Sequence, residues 1–508
     1  MFKEFEKQNT APAGPANLLT VVRELPADLE TPVSVYLKLA GQGPSFLLES
    51  VTGGEQLARY SFIGINPSQA FVLSGGVLQK RTGLDSPAGA QVEIIPAADP
   101  LDALRAELNQ HQPVSVAGLP RFSGGLVGYI SYDMVRRFEP SLQIEAHASL
   151  PEAIFLLADT LIAFDHAFGR LLLVTNVPLT NPADRAAAEA AAQARLDAIQ
   201  QRLESASPAP APRTAAAAVP PSTELRSNMT REQYIQAVLQ AKEHIAAGDI
   251  FQVVLSQRLE RETSASPFSI YRSLRRLNPS PYMYFFDFSG LTDETQTEPL
   301  FLIGASPELH VRLEGRQASI RPIAGTRRRG QTPAEDAQLE RELLADPKER
   351  AEHVMLVDLA RNDLGRVCAY GSVRVAEQMN VERYSHVMHI VSHVEGELRS
   401  ELDAFDLMRA TFPAGTVSGA PKIRAMQIIQ DLEAGPRGPY AGAVGYFSYD
   451  GSSDTCITIR TLVMRGSTVS VQAGAGIVAD SDPEGEYQET LNKARALAVA
   501  VERAEKGI

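Results

Sequence analysis

Two stretches of this sequence begin alike and carry the same chemistry. DPKERAEH, Asp346 to His353, and DPEGEYQETLNKA, Asp482 to Ala494, each set Asp before Pro, the order of an N-cap and a first helical residue. Beyond the caps, Glu349 and Glu352 stand three apart, as do Glu486 and Glu489. Each pair therefore projects from one helical face, and Lys493 extends the second row. Either pair alone reads more readily as helix-end electrostatics, with Glu349 in the capping-box position relative to Asp346. Together the four carboxylates form a donor set for a hard cation. Mg²⁺ is held by one or two carboxylates while water and ligand oxygens complete its octahedron.

Other residues suit an anion. In PIAGTRRRG, Pro322 to Gly330, Gly325 and Thr326 offer backbone amides and a hydroxyl, and GAGIV, Gly474 to Val478, lets backbone approach a ligand closely. Arg460 in CITIRT is expected to alternate along a strand with Ile457 and Ile459 on the opposite face. It is either a bidentate carboxylate clamp or an ordinary edge-strand charge. Tyr440 in GPYAGAVGYF is either a core aromatic or a phenol beside that clamp. His386, His389 and His393 have the spacing of helical metal ligands, yet VMHIVSHVEGEL also alternates like a strand, where a histidine is a hydrogen-bonded structural residue.

The elements that must position these groups are legible in outline. TREQYIQAVLQAKEHIAAG predicts a helix with a capping box, Thr230 with Gln233, and a stop at Gly248. A second helix is expected over Asp184 to Leu203. DIFQVVLSQRLER alternates, placing Gln252, Val254 and Ser256 on one strand face. Further strands are expected in FLLES, GGLVGYISYD, LLLVTNV, MYFFDF, FLIGAS, AVGYFSYD, CITIRTLVM and TVSVQAGAGIV. Strands in runs, without regular strand–helix alternation, favour an α+β architecture. Glu204 to Leu225, rich in Pro, Ala and Ser, reads as a linker. It separates an N-terminal region, 18–203, from a C-terminal region, 226–508, with a tail at 1–17.

Composition narrows the function. A formal net charge of -13 argues against a general nucleic-acid or anionic-membrane binder, so an anionic ligand must be met by local cations. Only Cys368 and Cys456 occur, too few for a disulfide framework, and a cytoplasmic protein is expected. Neither cysteine has the context of an amidotransferase nucleophile.

PIAGTRRRG, ERAEHVMLVDLARNDLGRV, FPAGTVSGAPKIRAM, YAGAVGYFSYDG, CITIRTLV and QAGAGIVADSDPEGEYQETLNKA, in this order, closely resemble the chorismate-utilising enzymes, and among them the large subunits of anthranilate synthase. The resemblance implies a large sandwich of two antiparallel sheets flanked by helices. It implies that Glu352 and Glu489 contact Mg²⁺, with Glu349 and Glu486 nearby or acting through water. Arg460 and Tyr440 would hold the pyruvyl carboxylate, and Gly325, Thr326, Thr416, Gly474, Ala475, Gly476 and Lys493 would line the remaining site, Thr416 among the catalytic groups. Glu308 resembles the general acid for the departing hydroxyl, and His389 the residue of the elimination step.

Two positions choose among relatives. Isochorismate and salicylate synthases carry a lysine in place of Gln252, and aminodeoxychorismate synthases typically one in place of Ala324. Neither amine exists here, so the resemblance implies attack by external ammonia, supplied by a separate glutamine amidotransferase subunit. The alternatives are formation of aminodeoxychorismate or aminodeoxyisochorismate, or a silent tryptophan-binding subunit. The resemblance also implies a feedback site for tryptophan, formed by Glu49, Ser50, Asn278, Pro281, Tyr282, Met283, Val444, Gly445 and Tyr446.

Overall fold

The computed structural model describes residues 16–507 except 42, 52–58, 85–88, 97–98, 115, 117, 148, 180, 182–183, 206–223, 292–297 and 385–386. The tail to residue 15 and most of the linker therefore lie outside the described residues. The predicted helices form where their caps stand. Thr230 and Gln233 close the capping box of helix Arg231–Ala246, and Asp184 precedes helix Arg185–Glu204. Gly248 follows the first of these with φ +81°, a left-handed turn that favours glycine.

Two antiparallel sheets of twelve strands each stack face to face. The first includes Ser45–Glu49, Tyr282–Asp287, Leu300–Ser306, Thr461–Arg465, Thr468–Ile477 and Gln252–Glu262, in that spatial order. The second runs from Ile323–Arg328 through Val387–Glu397, Gln317–Ile320, Leu309–Glu314, Ser453–Ile457 and Ala443–Ser448 to Gly125–Ile130 and beyond. Both sheets draw strands from before and after the linker. The two regions read in the sequence thus share both layers.

The period-2 pattern explains the layering. Phe46 and Leu48, Tyr284 and Phe286, Val127 and Tyr129, and Val444 and Tyr446 point inward and form the core between the sheets. Their neighbours point outward. Leu47, Met283 and Phe285 pack on helices Arg185–Glu204, Pro267–Leu277 and Pro483–Glu505, while Leu126 and Ile130 share a core with helices Pro347–Gly365 and Ala404–Thr411. Strands buried on both faces read as continuous apolar runs, which is why FLIGAS and YMYFFD alternate so weakly.

Two sequence readings change here. VMHIVSHVEGEL forms the strand Val387–Glu397, which removes the helical histidine alternative, and His386 lies outside the described residues. Arg460 is not on a strand. Ile457 ends a strand of the second sheet, Thr461 opens one of the first, and Arg460 turns between them at φ +51°.

Close strand approach makes a test. A Cβ on Gly128 would fall 1.9 Å from the Ile154 carbonyl oxygen, a backbone atom fixed by strand pairing. Gly128→Ala is expected to cost about 1–3 kcal/mol or more through overpacking. The measurement is the urea midpoint of unfolding, which should fall; an unchanged midpoint contradicts this packing.

Candidate functional site

The two short passages between the sheets carry the central residues. Ser306 to Leu309 crosses from the first sheet to the second and carries Glu308, and Thr458 to Arg460 crosses back. The passages are tied together. Ile457 N–H donates to the Glu308 carbonyl at 3.1 Å, Ala305 N–H to the Arg460 carbonyl at 3.1 Å, and the Ser306 hydroxyl to the Ile457 carbonyl at 2.7 Å.

Beside them opens a cleft of about 1580 Å³. Its walls hold Glu308, Gly325, Thr326, Glu349, Glu352, Thr416, Tyr440, Arg460, Gly474, Gly476, Glu486, Glu489 and Lys493, residues spread over nearly 190 positions that the sequence reading singled out. Gln252 and Ala324 line it too. Ala475 does not: its methyl packs in the core with Val253, Leu255 and Ile477, because alternation on Thr468–Ile477 turns it away from its glycine neighbours. His389 stands behind the wall, its Nδ1 3.1 Å from both the Gly325 carbonyl and the Thr326 hydroxyl.

Each glycine has a stated physical reason. Gly325 lies at φ +68° in a bulge where strand Ile323–Arg328 slips register against Val387–Glu397. At Gly474 a Cβ would sit 2.6 Å from the Tyr440 hydroxyl, and at Gly476 one would sit 2.7 Å from the Gln252 amide nitrogen. These two glycines make room for the side chains facing them.

Helix starts supply the acidic wall, as read. The Asp346 side chain accepts from the Lys348 and Glu349 amides, and that of Asp482 from the Gly485 amide. Burial raises the pKa of Glu352, opposed by the Gln252 amide that donates to it at 3.3 Å and reinforced by the charges of Glu349 and Glu489. Glu486 is raised by burial and again by Glu489. Two of the four already have basic partners: Arg327 holds Glu349 at 2.9 Å, and Lys493 holds Glu489 at 2.7 Å while donating to the Gly474 carbonyl. Among the described residues, no group of three or more His, Cys, Asp or Glu side chains could hold a metal ion by itself. The mutual repulsion of these carboxylates fits a cation shared between one or two of them and a ligand's own oxygens.

The remaining arginines of PIAGTRRRG are spent on neighbours. Arg327 also reaches Asp346 at 2.7 Å, Arg328 reaches Glu335 at 2.7 Å, and Arg329 holds Asp336 at 2.8 Å. Arg460 differs. No carboxylate lies within ion-pair distance of its guanidinium among the described residues, and burial lowers its pKa against the opposing charges of Tyr440 and Glu489. A half-buried cation without an ion-pair partner is suited to an anion.

Glu308 is only 9% exposed, and burial pushes its carboxyl up to about 8, against the nearby Thr416 hydroxyl and Lys493 ammonium. That Thr416 hydroxyl is buried beside the Glu308 carboxyl and meets full hydrogen-bond geometry with no protein group. His389 is lowered by burial and stays neutral. The Gly325 carbonyl can only accept, so the imidazole proton sits on Nδ1 and Nε2 keeps its lone pair. The cleft therefore combines a protonated acid and a half-buried arginine, with the neutral His389 behind its wall.

A second cavity, of about 530 Å³, lies between the sheets. It gathers Glu49, Ser50, Pro281, Tyr282, Met283, Val444, Gly445 and Tyr446, as expected. Asn278 is not among them: it terminates helix Pro267–Leu277, donating its backbone N–H to the Leu274 carbonyl at 2.8 Å. Glu49 is already engaged, accepting from Tyr271 and, at 2.9 and 3.0 Å, from Arg275. The buried Ser50 hydroxyl has no partner. The sequence reading missed Arg121, Tyr60, Phe62, Asp454 and Cys456 in this lining. Arg121 and Asp454 lie 333 positions apart, and no local pattern signals their meeting.

Comparisons with known proteins identify the family and the fold. Residues 43–499 match the family described as chorismate binding enzyme. The chain is 46% identical over 499 residues to anthranilate synthase component 1 of Pseudomonas putida and 44% identical over 491 residues to that of Acetivibrio thermocellus, covering 96% of each chain in both cases. Its fold superposes on the crystal structure of anthranilate synthase component I from Streptococcus pneumoniae with a TM-score of 0.73 at 36% identity, over 93% of this chain and 99% of that one. An isochorismate synthase from Escherichia coli shares the fold, with a TM-score of 0.69 at 21% identity.

The raised Glu308 acid has a thermodynamic consequence. Between its ordinary 4.5 and about 8, the unfolded chain releases a proton that the folded chain retains, so unfolding free energy falls as pH rises through that window. Comparing wild type with Glu308→Gln by denaturant titration at pH 5 and pH 8 isolates this effect. The wild type should lose stability relative to the variant at the higher pH, and a constant difference would contradict the burial of Glu308.

Proposed function

The chain belongs to the chorismate binding enzymes, and from that premise we propose that its cleft performs the anthranilate synthase reaction: amination of chorismate by ammonia, then elimination of pyruvate. The observation that carries this reading is one cleft holding a protonated Glu308, an ion-pair-free Arg460, and no amine at positions 252 and 324. Gln252 is a poor base for activating water, and the Ala324 methyl cannot attack the ring. The nucleophile therefore comes from outside.

Each residue then has a task. Arg460 and Tyr440 hold the pyruvyl carboxylate, the guanidinium supplying charge and the phenol a hydrogen bond. Ammonia forms a bond to the ring carbon beside the carboxylate-bearing one as the ring hydroxyl departs. Glu308 gives that hydroxyl its proton, so it leaves as water, and the acid is competent only below about pH 8. In the second step His389 takes the ring proton through Nε2 as the ring C–O bond breaks and the ring becomes aromatic; the three-carbon group leaves as the enolate of pyruvate, which takes a proton at its methylene carbon to become pyruvate. Thr416, Gly325 and Thr326 offer hydrogen bonds, and Lys493 donates to the Gly474 carbonyl of strand Thr468–Ile477.

Glu352 and Glu489 are the residues to hold Mg²⁺, with Glu349 and Glu486 nearby; bound there, the ion supplies Lewis-acid stabilisation of charge accumulating on the ring carboxylate. Ammonia is drawn from a glutamine amidotransferase subunit, consistent with the numbered-component names of the relatives. The second cavity is the site of tryptophan feedback inhibition. Its aromatic walls, Phe62, Tyr282 and Tyr446, suit an indole, and the unpartnered Ser50 hydroxyl suits the amino acid's polar end.

Two experiments test this reading. Chorismate, ammonium salt and Mg²⁺ with the isolated chain should yield fluorescent anthranilate, and Glu352→Gln should weaken metal activation by more than about tenfold while the fold is retained. Absence of anthranilate, or full metal response in the variant, contradicts it. The chain contains no Trp, so the fluorescence of added tryptophan reports binding directly. Ser50→Phe should abolish that signal and the inhibition while leaving uninhibited turnover intact; undiminished inhibition would place the regulatory site elsewhere.

A further inference from the structure

Behind Tyr440 lies a buried ion pair that the reaction above does not use. Arg437 is 3% exposed and belongs to the loop joining helix Lys422–Leu432 to strand Ala443–Ser448. Its guanidinium spans three elements. Nε and Nη2 donate to the Glu433 carboxylate at 2.8 and 2.6 Å, Nη1 donates to the Val417 carbonyl at 2.7 Å, and Nη2 donates to the Val254 carbonyl at 2.7 Å. Glu433 in turn accepts from the Ser256 amide and hydroxyl at 2.7 and 2.8 Å. The guanidinium carbon lies over two aromatic rings, 4.6 Å from the centre of Tyr132 and 5.5 Å from that of Tyr440. The loop itself is pinned, because the Arg437 and Gly438 amides donate to Asp133 at 3.2 and 3.1 Å.

Three of these anchors adjoin the cleft. Val254, Val417 and Tyr440 all line it, and Val417 follows Thr416 directly. A buried ion pair contributes little to stability on average, since desolvation offsets the Coulomb gain. What this one provides is geometry: a planar fork with fixed donor directions, which a lysine's single ammonium cannot reproduce. We propose that Arg437 and Glu433 are positioning residues, holding Tyr440 and the Thr416 turn at the separation the substrate requires; this rests on the chorismate reading of the cleft. The pair touches no substrate. It acts through the ring it backs and the carbonyls it ties.

A double-mutant cycle tests this. Chorismate KM and kcat are measured at saturating ammonium for Arg437→Lys, Tyr440→Phe and the double variant, with thermal unfolding in parallel. Each single change should raise chorismate KM on the order of tenfold or more, as small misplacements in a binding site do. The double variant should be no worse than the poorer single, because both changes remove one coupled contact. The ammonium KM should not move. Additive effects, or a loss of stability with chorismate KM unchanged in Arg437→Lys, would overturn the proposal. If Arg437→Lys does not fold, Glu433→Gln carries the same cycle under the same criterion. Failure of the underlying reading looks different: Tyr440→Phe alone would leave chorismate KM unchanged, and the positioning role would fall with it.

Discussion

Two antiparallel sheets packed face to face lie about 10 Å apart, so a chain that leaves one for the other must abandon strand pairing for a few residues. This molecule does so twice at one place, at Ser306–Leu309 and at Thr458–Arg460, and hydrogen bonds stitch the two passages to each other. Freed from the alternation of a strand, Glu308 and Arg460 turn their side chains into the space beside the sheets. Arg460 does this at φ +51°, a conformation costing roughly 1–3 kcal/mol for a residue with a side chain. The acidic helix starts and the glycine strands have a cleft to face because these crossings open one.

Electrostatically the cleft is unfinished. Glu352 and Glu486 are hindered from ionising by burial and by their neighbours, Arg460 is hindered from holding its charge, and Glu308 keeps its proton. Each group is short of an oppositely charged or hydrogen-bonding partner that water supplies poorly in a buried setting. Outside the cleft the pattern reverses. Arg327, Arg328 and Arg329 are all satisfied by carboxylates. In a chain of formal charge -13, Arg460 in the cleft wall is left without a carboxylate partner among the described residues.

The two cavities share their supports. Strand Ser453–Ile457 lends Asp454 and Cys456 to the smaller one and runs directly into Arg460. Strand Ala443–Ser448 lends Val444, Gly445 and Tyr446 to it, and Tyr440 precedes that strand by three residues. A ligand that shifted either strand would bear on Arg460 and Tyr440 through covalent continuity. That is a physical basis for coupling, provided the ligand has different affinities for the two arrangements.

Much was legible without coordinates, and for local reasons. Caps at Asp346, Asp482 and Thr230 announced their helices, because the first-turn amides must be satisfied within three residues. Gly325, Gly474 and Gly476 could be picked out because only glycine tolerates the left-handed bulge or the close approach found there. Spacing could not reveal what depends on distant partners. The Gln252–Glu352 contact joins positions 100 apart, Arg121 and Asp454 meet across 333, and Arg460 looks like a strand residue until the sheet it leaves and the sheet it enters are known. Ala475 sits between two glycines of the cleft yet faces the core, since strand alternation decides side by side what proximity in sequence does not. Which groups could carry charge, cap a helix or do without a side chain is a property of residues and their near neighbours, and was therefore readable along the chain. Which of them face one another was not, because burial, pairing and the raised acid at Glu308 arise from elements that packing alone brings together.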